Sequence, residues 1–400
     1  MGLGWTLAES GAYHIPWSVA LSERQERVLD LVLDRLSLLP ATGPLRERLE
    51  QCLASVCQQE RIRRDESWSG RVLFLAEKQA EGTGFFSHLL ADDAVEEIAV
   101  SGIHAPVRVF VRGNGWQDTN AVITSAEFAV AAVNAMARPL GRRLTVRGPR
   151  LSAVLSDGSR LYACAAPLTP DGIQVSLRKF RKKPFSVREL VDAGFLLPIQ
   201  AAFFSLALSS DAGLLVCGNT GSGKTTFLNA VFSFVPPRER VVLVEDVPEL
   251  RLPHRHQARL LAGKGGIGPL VADTLRMRPD RLVVGEVRFA HEASALMDVL
   301  LSGSAKGAYA TFHAQSAHHA LSRLLFLGVS PMDLDALDLL VVLRRFSDAK
   351  TGTERRRLVE LCAILDGKPV PVFCGKNVNP VFFRTAAFQK IAQSHGVDAA

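Results

Sequence analysis

What this chain lacks narrows its possible functions at once. No apolar run approaches the roughly 20 residues that a bilayer-spanning helix needs. The most apolar stretches, such as Leu339–Leu343, are far shorter. No basic segment followed by an apolar core opens the chain, so no secretory signal peptide is expected. The first residues, Met1-Gly2-Leu3-Gly4-Trp5-Thr6, formally fit a myristoylation pattern, but an ordinary chain start is the reading adopted. The 6 cysteines form no C-x-x-C pair, which suits a reduced cytosolic setting without structural zinc. His254 and His256, and His313 with His318 and His319, find no third metal ligand at convincing spacing. There is no G-x-S-x-G nucleophile elbow, no internal repeat and no low-complexity tract.

What is present is a globular composition, 48% hydrophobic and 22% charged over 400 residues, enough for two or three domains. The net charge of +7 favours acidic partners such as nucleotides, nucleic acid or anionic lipid, without choosing among them. Hydrophobic periodicity divides the chain. Residues 1–70 read as a helical region and residues 71–177 as a smaller α+β domain. Residues 178–185 form a basic, proline-broken connector. Residues 186–330 alternate helix and strand, which argues an α/β domain with a parallel sheet and helices on both faces. Residues 331–400 read as a C-terminal extension with a helix and short strands.

The stretch Gly218-Asn219-Thr220-Gly221-Ser222-Gly223-Lys224-Thr225 fits G-x-x-x-x-G-K-[ST], the phosphate-binding loop. The apolar run Leu214–Cys217 before it reads as a buried strand, and Thr226–Phe232 after it as a helix. Glycines let several backbone N–H groups face one concavity, and the helix N-terminus adds partial positive charge. In such a loop Lys224 reaches the β- and γ-phosphates and the Thr225 hydroxyl ligates Mg²⁺.

Three further signals lie at the ends of expected strands. Val244-Glu245-Asp246-Val247-Pro248-Glu249-Leu250 clusters carboxylates able to hold Mg²⁺ through water and to orient an attacking water. Leu282-Val283-Val284-Gly285-Glu286-Val287-Arg288 is an apolar strand ending in an acid. Gly285 stands where an Asp is usual, and Glu286 supplies the charge. Arg276, Arg278 and Arg288 flank it, placed to offset charge developing on a γ-phosphate. Thr311-Phe312-His313-Ala314-Gln315 puts an imidazole at another strand end. By contrast, Gly263-Lys264-Gly265-Gly266-Ile267-Gly268 fits G-x-G-x-x-G, but no strand is expected before it, so it is read as a loop and not a dinucleotide fingerprint.

Together the four motifs, in this order and spacing, resemble the ATPases of the type II and type IV secretion and pilus superfamily, within it the tight-adherence and archaeal-type pilus assembly branch. The resemblance covers roughly residues 70–330 and includes Leu89–Ile98, Pro139–Arg143 and Asp157–Arg160 upstream. It implies a RecA-like P-loop motor preceded by an α+β N-terminal domain, using ATP and Mg²⁺. A homo-hexamer is implied, hydrolysing ATP at subunit interfaces and working on an inner-membrane platform protein, and through it on a pilin or secreted protein. The implied location is cytoplasmic, at the periphery of the inner membrane.

By motif position Glu249 is the implied catalytic carboxylate, with Glu245 and Asp246 in support. Glu286 is the implied Walker B acid and metal-shell residue, His313 the His-box residue, and Arg288 an implied charge stabiliser. Gly218 to Thr226, which includes Thr226 itself, would bind nucleotide together with Arg160 and Arg178. The sequence departs from the family at Gln315, where Asn is commoner, and at Gly303–Gly307, which lacks the usual Gly-His-Asp/Glu run. The tetracysteine zinc module of the general secretion branch is absent. A nucleic-acid translocase on the same core, or a scaffold that binds nucleotide without turnover, are the rival readings; no stable nucleic-acid partner is expected.

Overall fold

The structure, a computed structural model, describes residues 5–7, 12–15, 21–40, 42–81, 86–181, 183–263, 265–347, 354–375 and 377–397. Residues 1–4 of the myristoylation pattern, Lys182 of the connector and Lys264 of the glycine-rich loop lie outside the described residues. The chain separates into two compact units, residues 1–181 and 182–400. The division falls within the basic connector expected at 178–185.

The first unit holds β1 (Trp5–Leu7), helices α1 (Glu23–Leu38), α2 (Leu45–Gln59), α3 (Glu66–Ala80) and α4 (Ser87–Ala91), strands β2 (Val95–Ser101), β3 (Pro106–Val111) and β4 (Gly115–Ile123), helix α5 (Ala126–Ala137), and strands β5 (Arg150–Val154), β6 (Arg160–Ala165) and β7 (Ile173–Arg178). The strands form one antiparallel sheet in the order β1-β4-β3-β2-β7-β6-β5. A boundary at residue 70 runs through α3. The reason is burial: each of the first helices hides a single apolar stripe and has no core of its own. Val28, Leu49, Leu53 and Val72 therefore share one core with Val95, Ile98, Val107 and Leu177 of the sheet. Arg178 is the last residue of β7, and Lys179 donates to the carbonyl oxygens of Leu89 and Asp92, so the connector's first residues are tied to α4.

The second unit runs through α6 (Val187–Asp192), α7 (Pro198–Ser209), β8 (Leu214–Gly218), α8 (Lys224–Val231), β9 (Val241–Glu245), β10 (Gln257–Leu261), α9 (Gly268–Thr274), β11 (Arg281–Val287), α10 (Ala290–Ser302), β12 (Gly307–Phe312), α11 (Ala317–Phe326), β13 (Leu339–Ser347), β14 (Glu354–Leu365), β15 (Lys368–Pro371), the small β16 (Phe373–Cys374) and β17 (Asn377–Val378) pair, and α12 (Ala386–Ser394). Its main sheet has the order β10-β9-β11-β12-β8-β13-β14-β15. Pairing is parallel among β8 to β12, the strands within residues 186–330, and between β8 and β13, while β14 and β15 beyond that range turn antiparallel and make the whole sheet mixed. β13 to β15 belong to what was read as a separate extension; β13 pairs directly with β8, so residue 330 is no edge of this unit.

The central strands read as continuous apolar runs because both faces are covered. Leu214, Val216, Val241 and Leu243 pack with Phe227 and Leu228 of α8. Their neighbours Leu215, Cys217, Val242 and Val244 pack on the opposite face with Leu296 and Val299 of α10 and Leu321 and Leu324 of α11. Fully burying side chains of this size is worth about 1.5–3 kcal/mol each, so the sheet is the rigid frame of the unit. At its amino edge the fully buried Arg281 donates to Glu239 Oε2 (2.5 Å), the Ser210 carbonyl (2.7 Å) and Tyr309 Oη (2.9 Å). The carboxyl ends of β8, β9, β11 and β12 all emerge at the opposite edge, where ligands of such sheets bind.

Candidate nucleotide site

β8 delivers Gly218 to the carboxyl edge, and α8 begins at Lys224. Between them Asn219 and Thr220 are exposed, Gly221 half-buried and Ser222 buried. Gly223 has φ +97°, a left-handed value, and a Cβ there would stand 2.9 Å from the Phe195 ring. Only glycine meets both demands without strain. The Lys224 ammonium folds back over the loop and donates to the carbonyls of Gly218 (2.8 Å) and Asn219 (3.4 Å). Thr225 and Thr226 lie half-buried in the first turn of α8.

β9, next in the sheet to β11, delivers Glu245 and the acidic turn after it. Thr225 Oγ1 donates to Glu249 Oε2 at 3.1 Å. Thus a residue 24 positions downstream meets the hydroxyl of the phosphate loop. Glu245 is 1% exposed. Its Oε1 accepts the backbone N–H of Glu249 (3.0 Å) and of Leu250 (2.9 Å), and its Oε2 lies 3.2 Å from Arg259 Nε on β10. Burial pushes the Glu245 carboxyl pKa up, against the opposing pull of these N–H groups and of Arg259. Glu245 therefore shapes the turn that presents Glu249 and does not itself face the loop hydroxyl.

β11 and β12 supply the third cluster. Glu286 Oε1 lies 2.6 Å from His313 Nε2, and Glu286 Oε2 accepts from Arg288 Nε at 2.6 Å. Arg288 also reaches Asp246 Oδ2 at 2.7 Å, which links the β11 end to the β9 turn. Thr311 Oγ1 donates to the Gly285 carbonyl at 2.5 Å, so the residue standing where an Asp is usual pins β11 to β12 through its backbone. Burial, with the nearby Lys224 charge second, lowers the His313 pKa, while Glu286 opposes the shift. His313 and Glu286 stay paired at 2.6 Å across the ends of β12 and β11. Lys224, His313 and Glu286 thus feel one another at the carboxyl edge.

Not every sequence candidate joins this cluster. Both Glu286 oxygens are engaged by His313 and Arg288, whereas the loop hydroxyl Thr225 meets Glu249. Arg276 and Arg278 are exposed and take no part in the Glu286 or Asp246 pairs. Arg160 and Arg178 belong to the first unit, where they face each other across β6 and β7. The glycine-rich Gly263–Gly268 loop does follow a strand, β10, contrary to the sequence reading. β10 was missed because its side chains alternate between exposed and half-buried at the sheet edge. Sequence reasoning also passed over Arg259 and Arg323, which donates to the His313 carbonyl and lies 4.9 Å over the Phe312 ring. It missed Glu292 too, whose buried carboxylate accepts the N–H of Arg288 (2.7 Å) and Phe289 (3.2 Å). An acid near the start of α10 was the available signal for Glu292; the two arginines carried none.

The family model described as type II/IV secretion system protein matches residues 133–364, more than half of the chain. The chain belongs to that family. The secretion-ATPase resemblance drawn from the four motifs therefore holds. Type IV secretion system protein PtlH of Bordetella pertussis is 30% identical, over 69% of this chain and 93% of its own. An uncharacterized protein of Methanocaldococcus jannaschii is 37% identical over 54% of this chain, which spans only 31% of that relative. The X-ray structure of the Legionella pneumophila ATPase DotB matches with a TM-score of 0.52 at 16% identity, covering 76% of this chain and 83% of that one, a likeness of fold. Among the described residues no helix is long and apolar enough to cross a membrane.

Proposed function

We propose that this chain is the motor of a secretion or pilus-assembly machine. Its second unit is a RecA-like ATPase, and six copies form a ring that works on an inner-membrane platform protein from the cytoplasmic side, moving a pilin or secreted protein indirectly. One observation carries the reading: the phosphate-loop hydroxyl of Thr225 meets Glu249 at 3.1 Å, beside the Glu286–His313–Arg288 cluster at the same sheet edge.

The residues suit Mg²⁺ and a triphosphate. The Thr225 hydroxyl would hold the ion and Glu286 would complete its shell, both hard oxygen donors of the kind Mg²⁺ takes, which leaves Glu249, 3.1 Å from that hydroxyl, for the attacking water. The buried Ser222 Oγ has no hydrogen-bond partner among the described residues. Bound Mg²⁺ would neutralise charge on the β- and γ-phosphate oxygens. Lys224 leaves the Gly218 and Asn219 carbonyls for those oxygens, and the N–H groups of Asn219 to Thr226 complete the cradle. Glu249 accepts a hydrogen bond from the attacking water and aims its oxygen at the γ-phosphorus, in line with the bridging oxygen that leaves with ADP. Glu286 holds His313 and Arg288 at the loop, where they respond to the γ-phosphate and its loss. The family resemblance adds Arg160 and Arg178 as nucleotide-binding residues, and movement of the motor transmits the change.

The test is ATP turnover by the purified full chain, with Lys224→Ala alongside and native mass measured with and without nucleotide. Turnover that vanishes in the variant, indifference to added DNA, and a hexameric mass support the reading. Turnover that survives Lys224→Ala, or a rate driven by DNA and weakened steeply by salt, contradicts it.

A further inference from the structure

The sequence motifs end at the His box, but the phosphate loop has another neighbour. β13 runs parallel to β8 and continues past it, from Leu343 opposite Gly218 into Arg344, Arg345, Phe346 and Ser347. β14 returns through Glu354, Arg355, Arg356 and Arg357. The hairpin arms thus carry cations beyond the carboxyl edge, where the loop lies. Arg345 reaches the loop itself: a Cβ placed on Gly221, whose φ is +75°, would stand 3.3 Å from Arg345 Nη1. Arg356 lies beside the loop as well, its Cδ 3.8 Å from a Cβ placed on Gly223.

Arg345 and Arg356 face each other directly across the antiparallel pair, an arrangement that costs stability when both are charged. One carboxylate stands between them: Glu354 Oε1 is 3.3 Å from Arg345 Nη1, and its Oε2 is 3.8 Å from Arg356 Nη2. Glu354 is only 16% exposed and Arg345 44%. Half-buried Glu354 thus touches both guanidinium groups, and the more exposed of them abuts a loop built to cradle an anion.

We infer that Arg345 is a nucleotide-binding residue, which binds the phosphate chain held by the loop of its own subunit, with Glu354 as the internal anion that occupies it otherwise. Guanidinium is suited to this because its planar fork pairs with two phosphate oxygens at once. On binding, Arg345 exchanges a carboxylate for a more highly charged partner, and Glu354 is left to Arg356. The contact rests on the ATPase reading above, but on none of the residues that carry that reading.

The experiment is equilibrium binding of a non-hydrolysable ATP analogue, and of inorganic tripolyphosphate as competitor, to the full chain across a salt series. Arg345→Ala is expected to weaken both ligands about tenfold or more, the loss of a charge-assisted hydrogen bond, and to flatten the salt dependence. Arg345→Lys keeps the charge and should recover part of the affinity, and Glu354→Gln should tighten binding by freeing the guanidinium. Unchanged affinity and salt dependence in Arg345→Ala, with binding lost in Lys224→Ala, would overturn the inference and leave the ATPase reading standing. No nucleotide binding by the unaltered chain would overturn both. A loss confined to the analogue, with tripolyphosphate unaffected, would overturn the assignment to the phosphate chain. If Arg345→Ala does not fold, unchanged affinities in both Arg345→Lys and Glu354→Gln overturn it.

Discussion

Replacing Glu245 by alanine separates the residue that shapes the acidic turn from the residue that faces the loop. Glu245 Oε1 is the acceptor for the N–H groups of Glu249 and Leu250, in a position 1% exposed. Orphaning a buried donor costs about 1–3 kcal/mol, so two donors set a range of about 2–6 kcal/mol. Two effects bring the net toward the lower half. Arg259 is 32% exposed on its side chain and regains water when its partner goes, so that ion pair contributes little. Burial also disfavours the ionised Glu245, and that penalty disappears with it. A loss of about 3 kcal/mol in urea unfolding is therefore expected. Turnover should fall further, up to about 100-fold, because the turn that aims Glu249 is no longer tied down. Nucleotide affinity should stay within about twofold, since the loop is untouched. Glu245→Gln retains an acceptor for both N–H groups and should keep most of the stability and rate. Unfolding midpoint and turnover of Glu245→Ala both matching the unaltered chain would refute the positioning argument.

Three further expectations follow from the same geometry. Because the folded-state pKa of Glu245 is raised, its contribution to stability is complete below the ordinary glutamate value of about 4.3 and is lost as pH rises through the folded value. Urea titrations of the unaltered chain and Glu245→Gln from about pH 4 to 7 should show this slope only in the former; parallel curves would contradict it. Glu286→Gln removes the charge that opposes the lowering of His313, so the imidazole should titrate at still lower pH by NMR; an upward shift would be contrary to the reading. Arg281→Ala leaves Glu239 with Lys306 at 3.1 Å as its remaining cation and takes the buried donor from the Ser210 carbonyl and Tyr309 Oη, which should cost about 2–3 kcal/mol, whereas a change in urea stability below about 1 kcal/mol would be that of a surface pair.

The site was more legible in the sequence than the architecture around it. β8, β9, β11 and β12 announce themselves as apolar runs because both their faces are buried, and each ends in a motif residue. β10 lies at the sheet edge and has no such run. β13 and β14 were read too short because their ladder extends into arginines whose only signal is charge; pairing with the opposite arm keeps them in register, not burial. For the same reason Arg345 and Glu354 were invisible: strand length, not motif, carries them to the loop. The boundary at residue 70 failed because periodicity finds helices but not their shared core. Local order showed that Thr225 and Glu249 were candidates. Only the parallel pairing of β8, β12, β11 and β9 shows why their strand ends share one edge.

The most direct test of the central claim is the steady-state turnover of Glu249→Gln, measured together with its affinity for a non-hydrolysable ATP analogue. Turnover should fall at least about 100-fold, as expected for a lost water-orienting base, with affinity held within about threefold. A variant that hydrolyses ATP at close to the unaltered rate would remove Glu249 from the chemistry and contradict the account.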